Sequence, residues 1–286
     1  MSAGRVGSPG DRGVRAAVSS RSAGNAWLFR PAPRPDAGVR LFCFPYAGAG
    51  ASTYRAWPEH VPDSVEICAV QLPGREGRLR EAPFTRFRDL VEAAAGALEP
   101  HFGRPFALFG HSMGALVAFE VARALAARGG AMPLHLFVSG RRAPQLPRRR
   151  PPIAHLAHDA FVAEVRRRYD GIPEEVFRTS ELMELLVPTL RADITALEGH
   201  AHMAGPPLSC PITAYGSSDD PEATETEIAA WREHSTGNFR YLIFPGTHFF
   251  VQTSRALLAA DVVQALGGLA GGTIGTELRS RDQTGA

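Results

Sequence analysis

The sequence predicts an α/β domain: a mostly parallel central sheet flanked by helices, interrupted by a helical insertion. Three observations predict it. Short apolar runs with strand character alternate with stretches of helical spacing, which is the pattern of βα units. Several of the runs are continuously apolar, as strands covered on both faces must be. A Gly-His-Ser-Met-Gly turn joins one such run directly to a helical stretch.

The strands are expected at residues 40–44, 65–72, 106–110, 134–139, 212–215 and 241–244. Between them, 85–98 sets Phe87, Leu90, Val91, Ala94 and Leu98 at three- and four-residue spacing, one face of a helix. Residues 112–128 are apolar nearly all round and are expected to form a deeply buried helix. Gly129-Gly130 supplies its C-terminal stop. A last helix is expected over 254–266. Between Gly140 and Cys210 the alternation fails and no strand is expected. This stretch opens with a basic, Pro-rich run and continues with two helical patterns. The first carries Phe161, Val162, Val165 and Tyr169. The second carries Leu182, Leu185, Leu186, Leu190, Ile194 and Leu197, with a kink expected at Pro188. Its few apolar positions are too sparse for an independent core, so it reads as a lid of about 145–208 on a domain spanning 26–268.

Composition bounds the function classes. The 286 residues are 44% hydrophobic and 21% charged, enough apolar content for a core. The 31 basic residues, all arginine, nearly balance 29 acidic ones, so no general field favours nucleic acid or an anionic membrane. Cys43, Cys68 and Cys210 lack the spacing of a metal or redox motif and read as buried apolar residues in a reducing compartment. No apolar stretch approaches the roughly 20 residues of a membrane span. Residues 1–25 lack the apolar segment of a secretory signal and are expected to be a disordered lead-in; 269–286 are expected to be a flexible tail. These readings imply a cytoplasmic protein with no membrane or nucleic-acid partner, in which nothing demands assembly beyond a monomer.

The chemistry centres on Gly110-His111-Ser112-Met113-Gly114. In a strand–turn–helix setting this spacing forms a nucleophile elbow, whose tight turn tolerates only glycine two residues either side of the serine. Ser112 is then presented above the sheet, and the backbone N–H of Met113 lies beside it. A serine needs a base. His248, in a loop just past the last strand, is the only histidine in the last fifty residues. His111 reads as a packing residue, and His200 and His202 as surface residues of the insertion. An acid is expected after the strand at 212–215, where Asp219 and Asp220 are adjacent; elementary physics does not choose between them. A second oxyanion donor is expected from the loop Phe44-Pro45-Tyr46-Ala47-Gly48-Ala49-Gly50, which lacks the Gly-Lys-Ser/Thr ending of a phosphate loop.

Six blocks in the same order carry a resemblance over about residues 27–266. They are Phe44-Pro45-Tyr46-Ala47-Gly48, Gln71-Leu72-Pro73-Gly74-Arg75, the elbow, Ser139-Gly140-Arg141-Arg142-Ala143-Pro144, Leu190-Arg191-Ala192-Asp193 and Pro245-Gly246-Thr247-His248-Phe249-Phe250. Together they resemble the type II thioesterases of polyketide synthase and nonribosomal peptide synthetase pathways. The resemblance implies an α/β-hydrolase fold with a helical lid. It implies hydrolysis, without metal or organic cofactor, of acyl thioesters on the phosphopantetheine arm of an acyl carrier protein. It selects Asp220 as the acid, with Asp219 as the alternative, and the N–H groups of Ala47 and Met113 as the oxyanion pair. One departure is Ala49, where the family usually has glycine. Two other readings remain: an esterase, lipase or peptidase with the same triad, and a non-catalytic carrier-binding module. The run Arg141, Arg142, Arg148, Arg149 and Arg150 reads first as an ordinary solvated loop, with a docking surface for an acidic carrier as the alternative.

Overall fold

The computed structural model describes residues 26–169 and 180–268. The expected lead-in at 1–25 and tail at 269–286 lie outside the described residues, as do positions 170–179 of the insertion. Among the described residues seven strands are formed: β1 (Leu28–Phe29), β2 (Val39–Phe44), β3 (Val65–Val70), β4 (Phe106–His111), β5 (Leu136–Ser139), β6 (Ile212–Ser217) and β7 (Phe239–Phe244). They make one sheet in the order β1-β3-β2-β4-β5-β6-β7. Only β1 runs antiparallel, against β3; the other pairs are parallel. All six expected strands are present within a few residues of their expected ends. The antiparallel β1 is additional, and two residues are too few to show a period.

Every residue of β3, β4, β5 and β6 is buried, because both faces of the sheet are covered. On one face, Phe42, Phe44 and Leu108 pack with helices α1 (Phe87–Leu98) and α2 (Met113–Ala127). On the other, Leu41, Cys43 and Phe109 pack with Tyr54, Trp57 and the last helix, described below. Neighbouring residues of β2 thus serve opposite layers, the two-residue period of a strand. Helix α2 ends as its Gly-Gly signal requires. Gly129 takes φ +63°, Gly129 N–H donates to Ala126 O and Gly130 N–H to Leu125 O (3.1 and 2.9 Å), a Schellman motif.

The insertion between β5 and β6 contains α3 (His158–Arg168) and α4 (Ser180–Gly199), and the latter continues through Pro188. Its own apolar cluster is small: Ile153, Phe161, Val165, Val187 and Ile194 are its buried members. After β6 come a short helix α5 (Glu225–Ala229), a single turn α6 (Phe250–Thr253) and the last helix α7 (Arg255–Gly267). The three cysteines are buried and unpaired, and burial pushes their thiols up, Cys210 to about 11 and Cys68 to about 12.

Two histidines in the protein body make stability pH-dependent. His135 stacks on Phe137, ring centroids 4.2 Å apart, and its Nε2 is hydrogen-bonded to Thr213 Oγ1 (2.8 Å). His234 packs on Phe119 and Trp231, with Nε2 on Gln145 Oε1 (2.6 Å). Burial pushes both down to about 4. The unfolded chain takes up these protons near the ordinary value of about 6.5, the folded chain only near 4. Stability that is fully present above about 6.5 is therefore lost as the pH falls through this window. Urea unfolding measured from about pH 7 down to about pH 4.5 is expected to show a falling midpoint, with a shallower fall in His135→Gln. An identical slope in that variant would refute the assignment.

Candidate active site

The turn after β4 is built as its sequence requires. Ser112 sits at φ +54°, a left-handed value unusual for a residue with a side chain. Its N–H donates to Ser139 O (2.8 Å), extending the β4–β5 ladder in which His111 pairs with Ser139. A Cβ on Gly110 would run into the Gly114 carbonyl, and one on Gly114 into the Phe44 carbonyl. The two glycines therefore let the strained turn close against β2. Met113, the first residue of α2, has its side chain fully buried.

The loops after β6 and β7 are laced together. Ser218 N–H donates to Phe244 O, Asp219 N–H to Gly246 O and Ser217 Oγ to Thr247 O (2.9, 3.0 and 2.8 Å). This brings Asp220 onto His248: Oδ2 lies 2.8 Å from Nδ1, and both side chains are buried. A carboxylate only accepts, so Nδ1 carries the proton and Nε2 of the neutral ring presents its lone pair. Asp220 Oδ1 accepts the Glu222 N–H (2.8 Å). Asp219 is exposed. The structure thus separates the two adjacent aspartates: one faces the imidazole and the other faces water.

Ser112 and His248 open onto one cavity of about 380 Å³. Among the described residues no hydrogen bond joins the two. The cavity floor includes Tyr46, Ala47, Gly48 and Ala49, and its roof is apolar, with Phe161, Val165, Met183, Leu186 and Leu190 from the insertion. His111 lies beneath, its ring centroid 5.1 Å from that of His248 and its Nδ1 2.9 Å from Ser139 Oγ. Burial first, and the neighbouring His248 second, hold His111 well below the usual histidine range, so it is a neutral packing group as expected. His200 and His202 are not surface residues. Both are half-buried: His200 packs on Phe87 and reaches Glu120, and His202 packs on His234.

Sequence reasoning assigned no role to Arg75 and Asp193, yet they hold the floor loop. Asp193, on α4, accepts from Arg75 Nη1 and Nη2 (2.6 and 2.8 Å) and from the Gly48 N–H (2.7 Å). Arg75 Nη1 also reaches Ala49 O (3.2 Å). Both side chains are almost fully buried. Ala49 N–H donates to Tyr46 O (3.1 Å), so the N–H groups of Gly48 and Ala49 are engaged. That of Ala47 makes no hydrogen bond among the described residues. The signal available in the sequence is an acid on the same helical face as Leu190, Ile194 and Leu197, where only a paired charge is tolerated.

The basic run makes contacts within the chain, with Arg148 and Arg149 exposed. Arg149 pairs with Glu227 (2.9 Å), Arg150 with Glu222 (2.6 Å), and Arg148 donates to Glu198 O (2.6 Å). Arg142 donates to Leu146 O (2.7 Å), and the guanidinium of Arg141 has no partner among the described residues.

Residues 39–264 match the family model described as a thioesterase domain. The chain belongs to the thioesterase family. This thioesterase is 41% identical over 231 residues to the gramicidin S biosynthesis protein GrsT of Aneurinibacillus migulanus, covering 81% of this chain and 90% of that one. Among solved structures it is similar to the thioesterase RedJ from the prodiginine biosynthetic pathway of Streptomyces coelicolor. That match has a TM-score of 0.75 at 42% identity, over 82% of this chain and 95% of that one. It is also similar to YbtT, a type II thioesterase from the yersiniabactin NRPS/PKS biosynthetic pathway, with a TM-score of 0.76 at 30% identity over 85% and 99% of the two chains. The α/β-hydrolase architecture expected from the resemblance is the one observed.

The thioesterase's buried ion pair gives a test. Asp193→Ala leaves Arg75 buried without a counter-charge and is expected to cost about 3–5 kcal/mol in urea unfolding. The double variant Arg75→Met/Asp193→Leu is expected to recover most of that stability while its turnover stays low, because Gly48 has lost its acceptor. Full turnover in the double variant would show that the Gly48 contact is dispensable.

Proposed function

We propose that this thioesterase is a stand-alone serine enzyme that hydrolyses acyl thioesters borne on the phosphopantetheine arm of acyl carrier proteins, removing aberrant acyl groups in a polyketide or nonribosomal peptide pathway. The observation that carries the reading is His248, paired with buried Asp220 and opening together with Ser112 onto one apolar cavity. The pathway assignment rests on the relatives, one of which is named for such a pathway.

In this mechanism Ser112 Oγ attacks the thioester carbonyl carbon and its proton passes to His248 Nε2. Asp220 holds the ring by Nδ1 and stabilises the imidazolium without taking the proton. The carbonyl oxygen becomes an oxyanion, received by the N–H groups of Ala47 and Met113. One such donor is worth about 3 kcal/mol in the transition state. The tetrahedral adduct collapses with cleavage of the C–S bond, and the leaving sulfur takes the proton from His248. A thiol has a reference pKa of about 8.5 and leaves more readily than an alkoxide or amine. Water then attacks the acyl-serine while His248 accepts its proton. The second adduct releases the free acid and returns the proton to Ser112 Oγ. The apolar roof receives the acyl chain, and no group outside the chain and water is consumed.

Ser112→Ala is expected to lower turnover of an acyl-loaded carrier protein by at least about 10³-fold. Intact-protein mass spectrometry is expected to lose the acyl adduct and labelling by a fluorophosphonate, with circular dichroism unchanged. Unchanged turnover would overturn the assignment. An ester panel hydrolysed faster than the carrier-bound thioester would favour an esterase instead.

A further inference from the structure

Across Tyr169 from the imidazole lies a second cavity, also of about 380 Å³. The Tyr169 ring is 5.9 Å from the His248 ring, and Tyr169, Ile194 and Leu197 line both cavities. The second cavity is chemically the opposite of the first. Six arginines border it (Arg141, Arg142, Arg148, Arg149, Arg150 and Arg168) against two glutamates, Glu198 and Glu222.

Most of these charges are answered. Arg149, Arg150 and Arg168 pair with Glu227, Glu222 and Glu164. Arg142 and Arg148 donate to backbone carbonyls, and the Glu198 carboxylate accepts the N–H groups of Ile153 and Ala154. Arg141 is different. Its guanidinium has no hydrogen-bond or ion-pair partner among the described residues, although the residue is half-buried. Its backbone is fixed: Trp231 Nε1 donates to the Arg141 carbonyl (2.7 Å). It stands two residues beyond Ser139, whose carbonyl holds the Ser112 N–H. Burial, with Arg142 and Arg148 adding to it, pushes its pKa down, while Glu222 and Tyr169 act the other way. A half-buried guanidinium with no ion-pair partner among the described residues carries a cost that a bound anion would relieve. Arg141 lines the cavity that shares Tyr169 with the site of Ser112 and His248, where an anion arriving with the ligand would answer it.

We propose that Arg141, supported by Arg142 and Arg148, binds an oxyanion carried by the thioester substrate. This rests on the thioesterase reading above. Arginine suits the task because its planar fork meets two oxygens of a phosphate or carboxylate at once. A carrier-borne thioester has two such sources. One is the phosphodiester of the arm; the other is a distal carboxylate on a dicarboxylic acyl group.

The test compares kcat/KM for hexanoyl-pantetheine, hexanoyl-4′-phosphopantetheine and adipoyl-pantetheine with the wild type, Arg141→Gln and Arg141→Lys. The wild type is expected to favour a charged thioester over the neutral one by about tenfold or more. Which charged thioester is favoured identifies the source. In Arg141→Gln the preference is expected to fall close to one, mainly through KM, and Arg141→Lys is expected to keep part of it. Equal turnover of charged and neutral thioesters by the wild type would overturn the proposal, as would an equal loss on both in Arg141→Gln. Should Arg141→Gln fail to fold, inhibition of the wild type by free 4′-phosphopantetheine, adipate, pantetheine and hexanoate replaces it. Stronger inhibition by either anion-matched compound than by its comparator, pantetheine or hexanoate, supports the site, and equal inhibition in both pairs overturns it. If the wild type hydrolyses none of the thioesters and a fluorophosphonate leaves Ser112 unlabelled, the thioesterase reading itself has failed.

Discussion

A single buried carboxylate, that of Asp193, accepts three N–H groups from two segments remote from it in sequence. Two come from Arg75, after β3, and one from Gly48, after β2. The carboxylate belongs to α4, in the insertion. Removing two charges from water is expensive, and an apolar pair of similar volume would do as well or better for stability alone. What the ion pair supplies is position. A bidentate contact fixes the angle between α4 and the loop after β3, and the remaining lone pair of Oδ2 fixes the plane of the Gly48 peptide. The neighbouring Ala47 N–H makes no hydrogen bond among the described residues. An ion pair distant from Ser112 in sequence thus sets the backbone beside it.

The elbow is constrained from the opposite side. Ser112 at φ +54° is strained, and the strain is tolerated because its N–H completes the β4–β5 ladder and two glycines let neighbouring backbone close on it. Gly140, at φ +58°, packs against the His111 ring, which a Cβ there would strike at 2.5 Å. Neutral His111 fills the space under His248, so no charge from directly below would oppose an imidazolium formed there in the proposed mechanism. Packing, strain and electrostatics at this point require the same few residues.

Much of the architecture was legible because burial on two faces leaves a strong mark: unbroken apolar runs such as Phe106-Ala107-Leu108-Phe109 have few other uses. The elbow was legible because its glycines are a local steric necessity. What was hidden is of two kinds. Short elements, β1 and α5, present too few residues for a period. Long-range pairings leave little local trace: Arg75 and Asp193 are 118 residues apart, and the only local sign of their pairing is an acid on an apolar helical face. Asp219 and Asp220 have the same chemistry, and only the lacing of the β6 and β7 loops, which turns one inward, distinguishes them. The arginine run looked solvated because the glutamates that answer it, Glu222 and Glu227, lie beyond β6 in another part of the chain.

The tether and the roof use different turns of the same helix. Met183, Leu186 and Val187 on α4 line the apolar cavity, and they precede the turn that carries Asp193. Side-chain volume at those three positions would set the space for an acyl chain in the proposed reaction, while none of the three takes part in the hydrogen bonds among residues 48, 75 and 193. Beyond Asp193, Ile194 and Leu197 form the partition with the arginine-lined cavity. Along one helix, then, the order is acyl wall, anchor and partition. Because the anchor lies between the other two, side-chain size can vary at either without loss of the contacts that Asp193 makes to Arg75 and Gly48.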